Sequence, residues 1–229
     1  MASQSSRVLS LAVLGTLIDD RAGLTAGLVA GGVPPATAPM LADRALVGVD
    51  SLLDELDTFV GWQQVLARAV EAAAEASGLQ VGVGTAEQAV SGITEWPLFD
   101  DVLPALAALA PRFRLALLSN LDQRQLEQVA RRLGGTAAHL VGADRVGCFL
   151  PEPDHLMALV HEMEVDEDRV LHVSARAMAD LLPAEGLGMA HAWLHRPGEA
   201  GPGEVEIQLE VDDLLALARR LNRRGRRRH

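Results

Sequence analysis

The chain has 229 residues, of which 49% are hydrophobic and 22% are charged. This composition excludes an intrinsically disordered chain and predicts a globular protein with a full core. The formal net charge is −11, and an acidic body of this kind disfavours nucleic acid as a partner.

The predicted elements begin with a buried strand in "RVLSLAVL", residues 7–14, which is apolar almost throughout. The run resembles the start of a signal peptide, but Asp19 and Asp20 follow directly and a small-residue cleavage site is missing. No apolar stretch approaches the ~20 residues needed to cross a bilayer, so we expect no membrane partner. The single cysteine, Cys148, cannot form an internal disulfide, which favours a cytoplasmic location.

After this strand the pattern changes to helices and turns, and residues 21–95 are predicted to form an inserted helical cap. A Gly- and Pro-rich loop, "AGGVPPATAP", lies inside it. Strands and helices then alternate. Three strands are predicted at 112–120, 169–175 and 189–194, and amphipathic helices at 100–110, 122–134, 153–164 and 178–186. A short strand and a final helix close the chain at 206–222.

This alternation predicts an α/β fold with a Rossmann-like parallel sheet core and an inserted helical cap domain. The core spans residues 1–20 and 96–229, and the cap spans 21–95. An arginine-rich tail, 219–229, holds seven of the 20 basic residues, all of which are arginine. Two interpretations of the tail stay open, a solvated helix end and a contact with polyanions.

Ligands of such sheets bind beyond the carboxyl ends of the strands, so functional residues are expected there. "VLGTLID" and "LALLSN" follow the first two strands of the core, and "FLPEPDHL" and "LHVSARAMADLLPAEGLGM" follow later in the chain. In this order and spacing the four segments resemble the motifs of the haloacid dehalogenase superfamily, most closely its 2-haloacid dehalogenase branch. The resemblance covers nearly the whole chain.

The resemblance also implies that the catalytic residues are missing. In that family an aspartate attacks the substrate, a lysine neutralises the clustered carboxylates, and acids of the fourth motif hold magnesium or a water. Here Ala12 stands in place of the aspartate, Leu150 in place of the lysine and Ala175 in place of a fourth-motif aspartate. Loss of a nucleophile costs on the order of a million-fold in rate. We therefore expect neither dehalogenase nor phosphatase activity, and no metal or cofactor.

The three losses together indicate a settled change, since removing only one partner would leave a buried charge unpaired. The floor of the cleft between cap and core becomes apolar, which favours a neutral or hydrophobic small molecule as ligand. The predicted binding residues are Ala12, Leu14, Thr16, Arg44, Ser119, Asn120, Leu150, Ala175 and Arg176.

Several of the polar residues have two interpretations. Asp122 and Asp20 are candidates for a general acid or base, but Asp122 with Gln125 also forms a helix capping box, and Asp20 opens the first cap helix. Arg44 lies about where the family's cap places an arginine over the substrate carboxylate, or on a solvated helix face. Arg176 either supplies positive charge near the floor or points to solvent.

Three functions remain open at this point. The first is a non-hydrolytic enzyme, such as a cyclase, isomerase or lyase of bacterial secondary metabolism. The second is a pseudoenzyme that acts as a binding or partner protein. A homodimer is an expected partner state for either function. The third is a hydrolase with a relocated nucleophile, Ser119 or Asp122.

Overall fold

The computed structural model describes residues 8–226, with side chains described through residue 223. Arg7 and tail residues 227–229 therefore lie outside the described residues. The chain divides into two compact units. We call them the sheet unit, residues 8–17 and 98–226, and the helical unit, Ile18–Pro97. The divisions fall within three residues of the expected boundaries of the cap.

The sheet unit contains six parallel strands. They are β1 (Val8–Ala12), β2 (Arg114–Ser119), β3 (Ala137–Gly142), β4 (Val170–Ser174), β5 (Ala190–Leu194) and β6 (Glu210–Val211). The strand order is β3-β2-β1-β4-β5-β6, so β1 lies inside the sheet between β2 and β4. The predicted α/β, Rossmann-like fold is confirmed.

The helical unit contains α1 (Asp20–Ala30), α2 (Ala38–Asp54), α3 (Trp62–Ala76) and α4 (Thr85–Ser91). The Gly- and Pro-rich segment lies between α1 and α2, where Pro39 occupies the first turn of α2. Two glycines on α1 permit close packing. A Cβ atom on Gly23 would lie 2.2 Å from the Trp96 ring, and one on Gly27 would lie 2.1 Å from the carbonyl oxygen of Ala89.

The helices of the sheet unit are α5 (Val102–Leu109), α6 (Gln123–Arg132), α7 (Ala143–Val146), α8 (Asp154–Met163), α9 (Leu182–Gly186) and α10 (Leu214–Arg226). Where a single helix was predicted over 178–186, a π-helical turn, Ala177–Leu181, precedes the short α9. No helix of the described chain is long and apolar enough to cross a membrane.

Strand β3 was not predicted from the sequence. It forms one edge of the sheet, and only its last two residues, Val141 and Gly142, are buried. An edge strand that is half exposed lacks the continuous apolar run that identified the inner strands.

Candidate functional site

A small hollow lies at the carboxyl ends of the inner strands of the sheet unit. Its volume is about 10 Å³. This is room for about one water. It is lined by six predicted residues, Ala12, Leu14, Ser119, Asn120, Leu150 and Arg176, and by four residues outside the predicted set, Val13, Leu118, Ala179 and Asp180.

The end of β1 presents a methyl group to this hollow. Ala12 is the last residue of β1 and is 3% exposed. The next residue, Val13, continues the pairing with β2, since its N–H donates to the carbonyl oxygen of Leu118 at 3.1 Å. Because a methyl group neither attacks a substrate nor binds a metal, this position supplies no chemistry.

A network of buried hydroxyl groups joins the turn after β1 to the end of β4. Thr16 is completely buried, and its hydroxyl oxygen accepts a hydrogen bond from the N–H of Ala175 at 3.0 Å. The Thr16 hydroxyl also lies 3.2 Å from that of Ser174, which donates to the carboxylate of Asp180. The hydroxyl oxygen of Ser174 accepts from the N–H of Arg176 at 3.0 Å. These polar groups therefore bind one another.

Two of the predicted binding residues lie behind the hollow. Thr16 does not line it, because the hydroxyl network holds its side chain. Ala175 is completely buried and does not line it either. The carbonyl oxygen of Ala175 accepts a hydrogen bond from the indole N–H of Trp193 at 3.0 Å. Both residues therefore support the end of the sheet, and their role in binding stays a prediction.

Asp180 is the carboxylate that lines the hollow, and the π-helical turn places it there. The turn is closed by the N–H of Leu182, which donates to the carbonyl oxygen of Ala177. Single π-turns are frequent at functional sites. The sequence contained the signal, since Asp180 is retained in the motif that follows β4.

The polar groups that follow β2 hold the neighbouring loops. The side-chain oxygen of Asn120 accepts a hydrogen bond from the N–H of Leu150 at 2.8 Å, which fixes the segment before the cis Leu150–Pro151 bond. The hydroxyl oxygen of Ser119 accepts from the N–H of Leu121 at 3.2 Å. Leu150 is 5% exposed. Ser119 and Asn120 thus have structural partners, and a further bond to a ligand stays a prediction.

Asp122 is the N-cap of α6, as one of its two interpretations predicted. Its side chain accepts from the backbone at Gln125, whose side chain in turn accepts from the N–H of Asp122 at 3.2 Å. The capping box is therefore confirmed. Asp122 does not line the hollow, and its action as an acid or base stays untested.

The other two predicted residues belong to the helical unit. Asp20 is the buried first residue of α1, and its neighbour Asp19 caps that helix by accepting from the N–H of Ala22 at 2.9 Å. Arg44 is exposed on α2 and donates to the hydroxyl oxygen of Ser77 at 2.7 Å, which ties α2 to the end of α3.

The donor set does not fit magnesium. Mg²⁺ requires octahedral oxygen coordination, anchored by one or two carboxylates. Within the hollow Asp180 is the carboxylate, and it already accepts from Ser174, while the side chains of Ala12 and Leu14 contain no ligand atom. Across the described residues, no three His, Cys, Asp or Glu side chains are arranged to hold a metal ion.

Cys148 is the single cysteine of the chain, and its environment disfavours the thiolate. Burial raises the pKa of its thiol to about 11, and the neighbouring carboxylates of Asp154 and Glu152 add to the effect. The reactive form of cysteine is the thiolate, which is scarce at neutral pH when the pKa is this high.

Comparison with known proteins identifies the family. A sequence model described as haloacid dehalogenase-like hydrolase matches residues 14–188. The chain belongs to the haloacid dehalogenase-like hydrolase family. The resemblance found in the four motifs is thus confirmed at the level of the family. A comparison with curated proteins finds no match.

Solved structures of this family share the fold. The L-2-haloacid dehalogenase PA0810 is 25% identical with a TM-score of 0.78, and the alignment covers 96% of this chain and 100% of that one. The L-2-haloacid dehalogenase from Xanthobacter autotrophicus, with chloropropionic acid covalently bound, is 18% identical with a TM-score of 0.78 and coverages of 95% and 98%. A putative hydrolase of the family, YfnB from Bacillus subtilis, bound to magnesium, is 16% identical with a TM-score of 0.76 and coverages of 95% and 99%.

Proposed function

We propose that this protein is a non-hydrolytic member of the haloacid dehalogenase-like family, a pseudoenzyme that acts as a binding or partner protein. One observation carries the proposal. Ala12 is the last residue of β1 and carries only a methyl group. The family resemblance places the attacking aspartate at this position. The chain keeps the fold of the family, but alanine replaces the aspartate that would form the ester.

The replacement of the neighbouring lysine supports this interpretation. Leu150 lines the same hollow as Ala12, and both side chains are at most 5% exposed. Loss of one member of a buried ion pair leaves an unpaired charge, whereas loss of both is close to neutral. An apolar pair therefore gives the sheet unit a stable end without catalytic groups.

The size of the hollow favours a pseudoenzyme over an enzyme. Small-molecule sites have volumes of roughly 300–1,000 Å³, and this hollow has room for about one water. The neighbouring hydroxyl groups of Thr16 and Ser174, which do not line the hollow, are engaged with Ala175 and Asp180. The end of the sheet is thus organised to support the fold.

A second candidate function is the binding of a neutral or hydrophobic small molecule at the carboxyl end of the sheet. The apolar side chains in the lining favour it, and six of the ten lining residues are of this kind: Ala12, Val13, Leu14, Leu118, Leu150 and Ala179. In this alternative the protein is a cyclase, isomerase or lyase of secondary metabolism. The cytoplasmic location and a homodimeric state belong to the proposal in either form.

Hydrolysis of p-nitrophenyl acetate tests the proposal against a relocated nucleophile. We expect the unaltered protein and the variants Ser119→Ala and Asp122→Asn to show the same slow background rate. Asp122→Asn is the matched change, because asparagine keeps the helix cap and loses the acid. Saturable hydrolysis that either substitution abolishes would overturn the proposal and restore a hydrolase.

Native mass spectrometry of the purified protein separates the two candidates. The pseudoenzyme predicts the mass of the bare chain, both for the unaltered protein and for Ala179→Leu, whose larger side chain fills the hollow. A co-purified small molecule that Ala179→Leu displaces, while the control Ala107→Leu, exposed on α5 and outside the lining of the hollow, retains it, would favour the second candidate.

A further inference from the structure

A second and larger cavity lies in the sheet unit, on the surface between α5 and α10. Its volume is about 320 Å³ on the measure used for the hollow, within the range of small-molecule sites. We call it the α5–α10 groove, and it is lined by Ala108, Leu215, Ala218, Arg219, Asn222 and Arg223. None of these residues belongs to the site at the ends of the strands.

The floor of the groove is apolar because α10 is amphipathic. Leu214, Leu217 and Ala218 of α10 are buried in the sheet unit, and Leu215 is half-buried beside them. Ala108 of α5 is exposed at the opposite side. Exposed carbon of this kind contributes binding energy when a ligand covers it.

Arginines form the rim of the groove. Arg219 and Arg223 are exposed and stand four residues apart on α10, so their guanidinium groups lie on one face of the helix. Arg112 adds a third cation on the same side, since it donates to the backbone and side-chain oxygens of Asn222 at 2.9 and 3.0 Å. Asp213, the nearby acid, lies 3.7 Å from Arg219 in an ion pair exposed to solvent.

We propose that the α5–α10 groove binds an anionic amphiphile, a carboxylate or phosphate head attached to a short alkyl chain. The guanidinium fork of arginine matches the oxygen pairs of either head. The apolar floor accommodates the chain. Because Debye screening at physiological salt acts over about 8 Å, the distant acidic surface does not cancel this local positive charge.

The groove explains the arginines better than a nucleic-acid contact does. A phosphate backbone is bound mainly by cations and hydrogen-bond donors, and it has no alkyl chain that would occupy an apolar cavity. Here the two rim arginines flank a carbon-lined cavity, and the rest of the body is acidic. The ligand that matches both features carries one anionic end and one apolar end.

Isothermal titration with octanoate and octyl phosphate tests this site on the full chain. We expect both to bind, and octanol and octyltrimethylammonium to bind at least tenfold more weakly. Each methylene added from hexanoate to octanoate should tighten binding about fourfold, the effect of burying one CH₂. Equal binding of octanol and octanoate would overturn the role of the arginines.

Variants locate the binding. Arg219→Gln with Arg223→Gln, and separately Ala108→Phe, should each weaken octanoate at least tenfold. The control Arg124→Gln with Arg131→Gln removes two exposed arginines from α6 and should leave binding unchanged. A chain that ends after Arg223 should bind as the full chain does. Loss of binding in this shortened chain, or in the α6 control, would place the ligand elsewhere and overturn the proposal.

Discussion

At the scale of single residues, the account depends on what faces the hollow at the end of β1. Ala12 and Leu150 line it together, and the hydroxyl groups behind them bind one another. The sequence motifs identified both residues and predicted that Ala12 lies at the end of the first strand. Their low exposure, 3% and 5%, required the structure.

Restoring the charge at Ala12 gives the residue-scale prediction. Ala12→Asp adds a second carboxylate to a buried hollow whose described lining holds one carboxylate, Asp180, and one cation, Arg176, so we expect a loss of about 3 to 5 kcal/mol in the free energy of unfolding. Adding Leu150→Lys should recover part of that loss. Chemical denaturation measures both, with Ala12→Asn as the uncharged control. Equal stability of Ala12→Asp and Ala12→Asn would show that the site is not apolar.

At the scale of elements, inner strands were easier to predict than turns. The strands that became β1, β2, β4 and β5 are apolar because helices or neighbouring strands cover them, so their periodicity was clear. Strand β3 was not predicted because it is a half-exposed edge strand. The π-helical turn at Ala177–Leu181 was not predicted because a single turn is too short to show a hydrophobic periodicity. Tertiary packing determined both.

The start of α6 gives one element-scale prediction. Asp122→Ala removes the side chain that caps the helix and should cost about 0.5 to 2 kcal/mol. Asp122→Asn keeps an accepting oxygen and should cost less than half as much. Thermal unfolding followed by circular dichroism compares the two. A larger loss for the asparagine variant would indicate that the negative charge, and not the cap, stabilises this position.

Buried histidines give a second element-scale prediction. His172 on β4 hydrogen-bonds Ser10 on β1 at 2.7 Å, and burial, with a smaller contribution from His191, lowers its pKa to about 3. Burial also lowers the pKa of His155, at the start of α8, to about 4. Below pH 6.5 the unfolded chain binds protons that the folded chain excludes. Stability should therefore fall as the pH falls from about 6.5 toward 4 and 3.

The slope of this loss is up to about 1.4 kcal/mol per pH unit for each histidine. His155→Leu should remove one of the two contributions and flatten the curve of unfolding free energy between pH 6.5 and 4. Met157→Leu, an exposed and non-titrating change on the same helix, is the control and should leave the slope unchanged. A curve for His155→Leu that parallels the unaltered protein would contradict the assignment.

At the scale of the whole sheet unit, one buried ion pair joins segments that are far apart in the chain. Arg196 and Asp101 are 2.9 Å apart, with side chains 6% and 12% exposed. Arg196 also donates to the carbonyl oxygen of Thr16 at 3.0 Å and lies 4.0 Å from the centre of the Phe99 ring. Asp101 accepts from the N–H of Leu214 at the start of α10. These contacts join segments far apart in the chain and were not evident from the sequence pattern.

Breaking this pair should destabilise the sheet unit. Arg196→Met leaves the carboxylate of Asp101 buried without its cation, so we expect a loss of about 3 to 5 kcal/mol. In the double variant with Asp101→Asn the total should be smaller than the sum of the single losses, because neither charge remains. A double-mutant cycle in denaturant measures the difference, and strict additivity would show that the two residues do not interact.

Halide release from 2-chloropropionate by the unaltered protein, followed together with the intact mass of the chain, tests the central claim most directly. The account predicts chloride release at the uncatalysed rate and no covalent adduct, because the end of β1 carries a methyl group in place of an attacking oxygen. Saturable chloride release accompanied by an ester adduct on a carboxylate of the chain would contradict it.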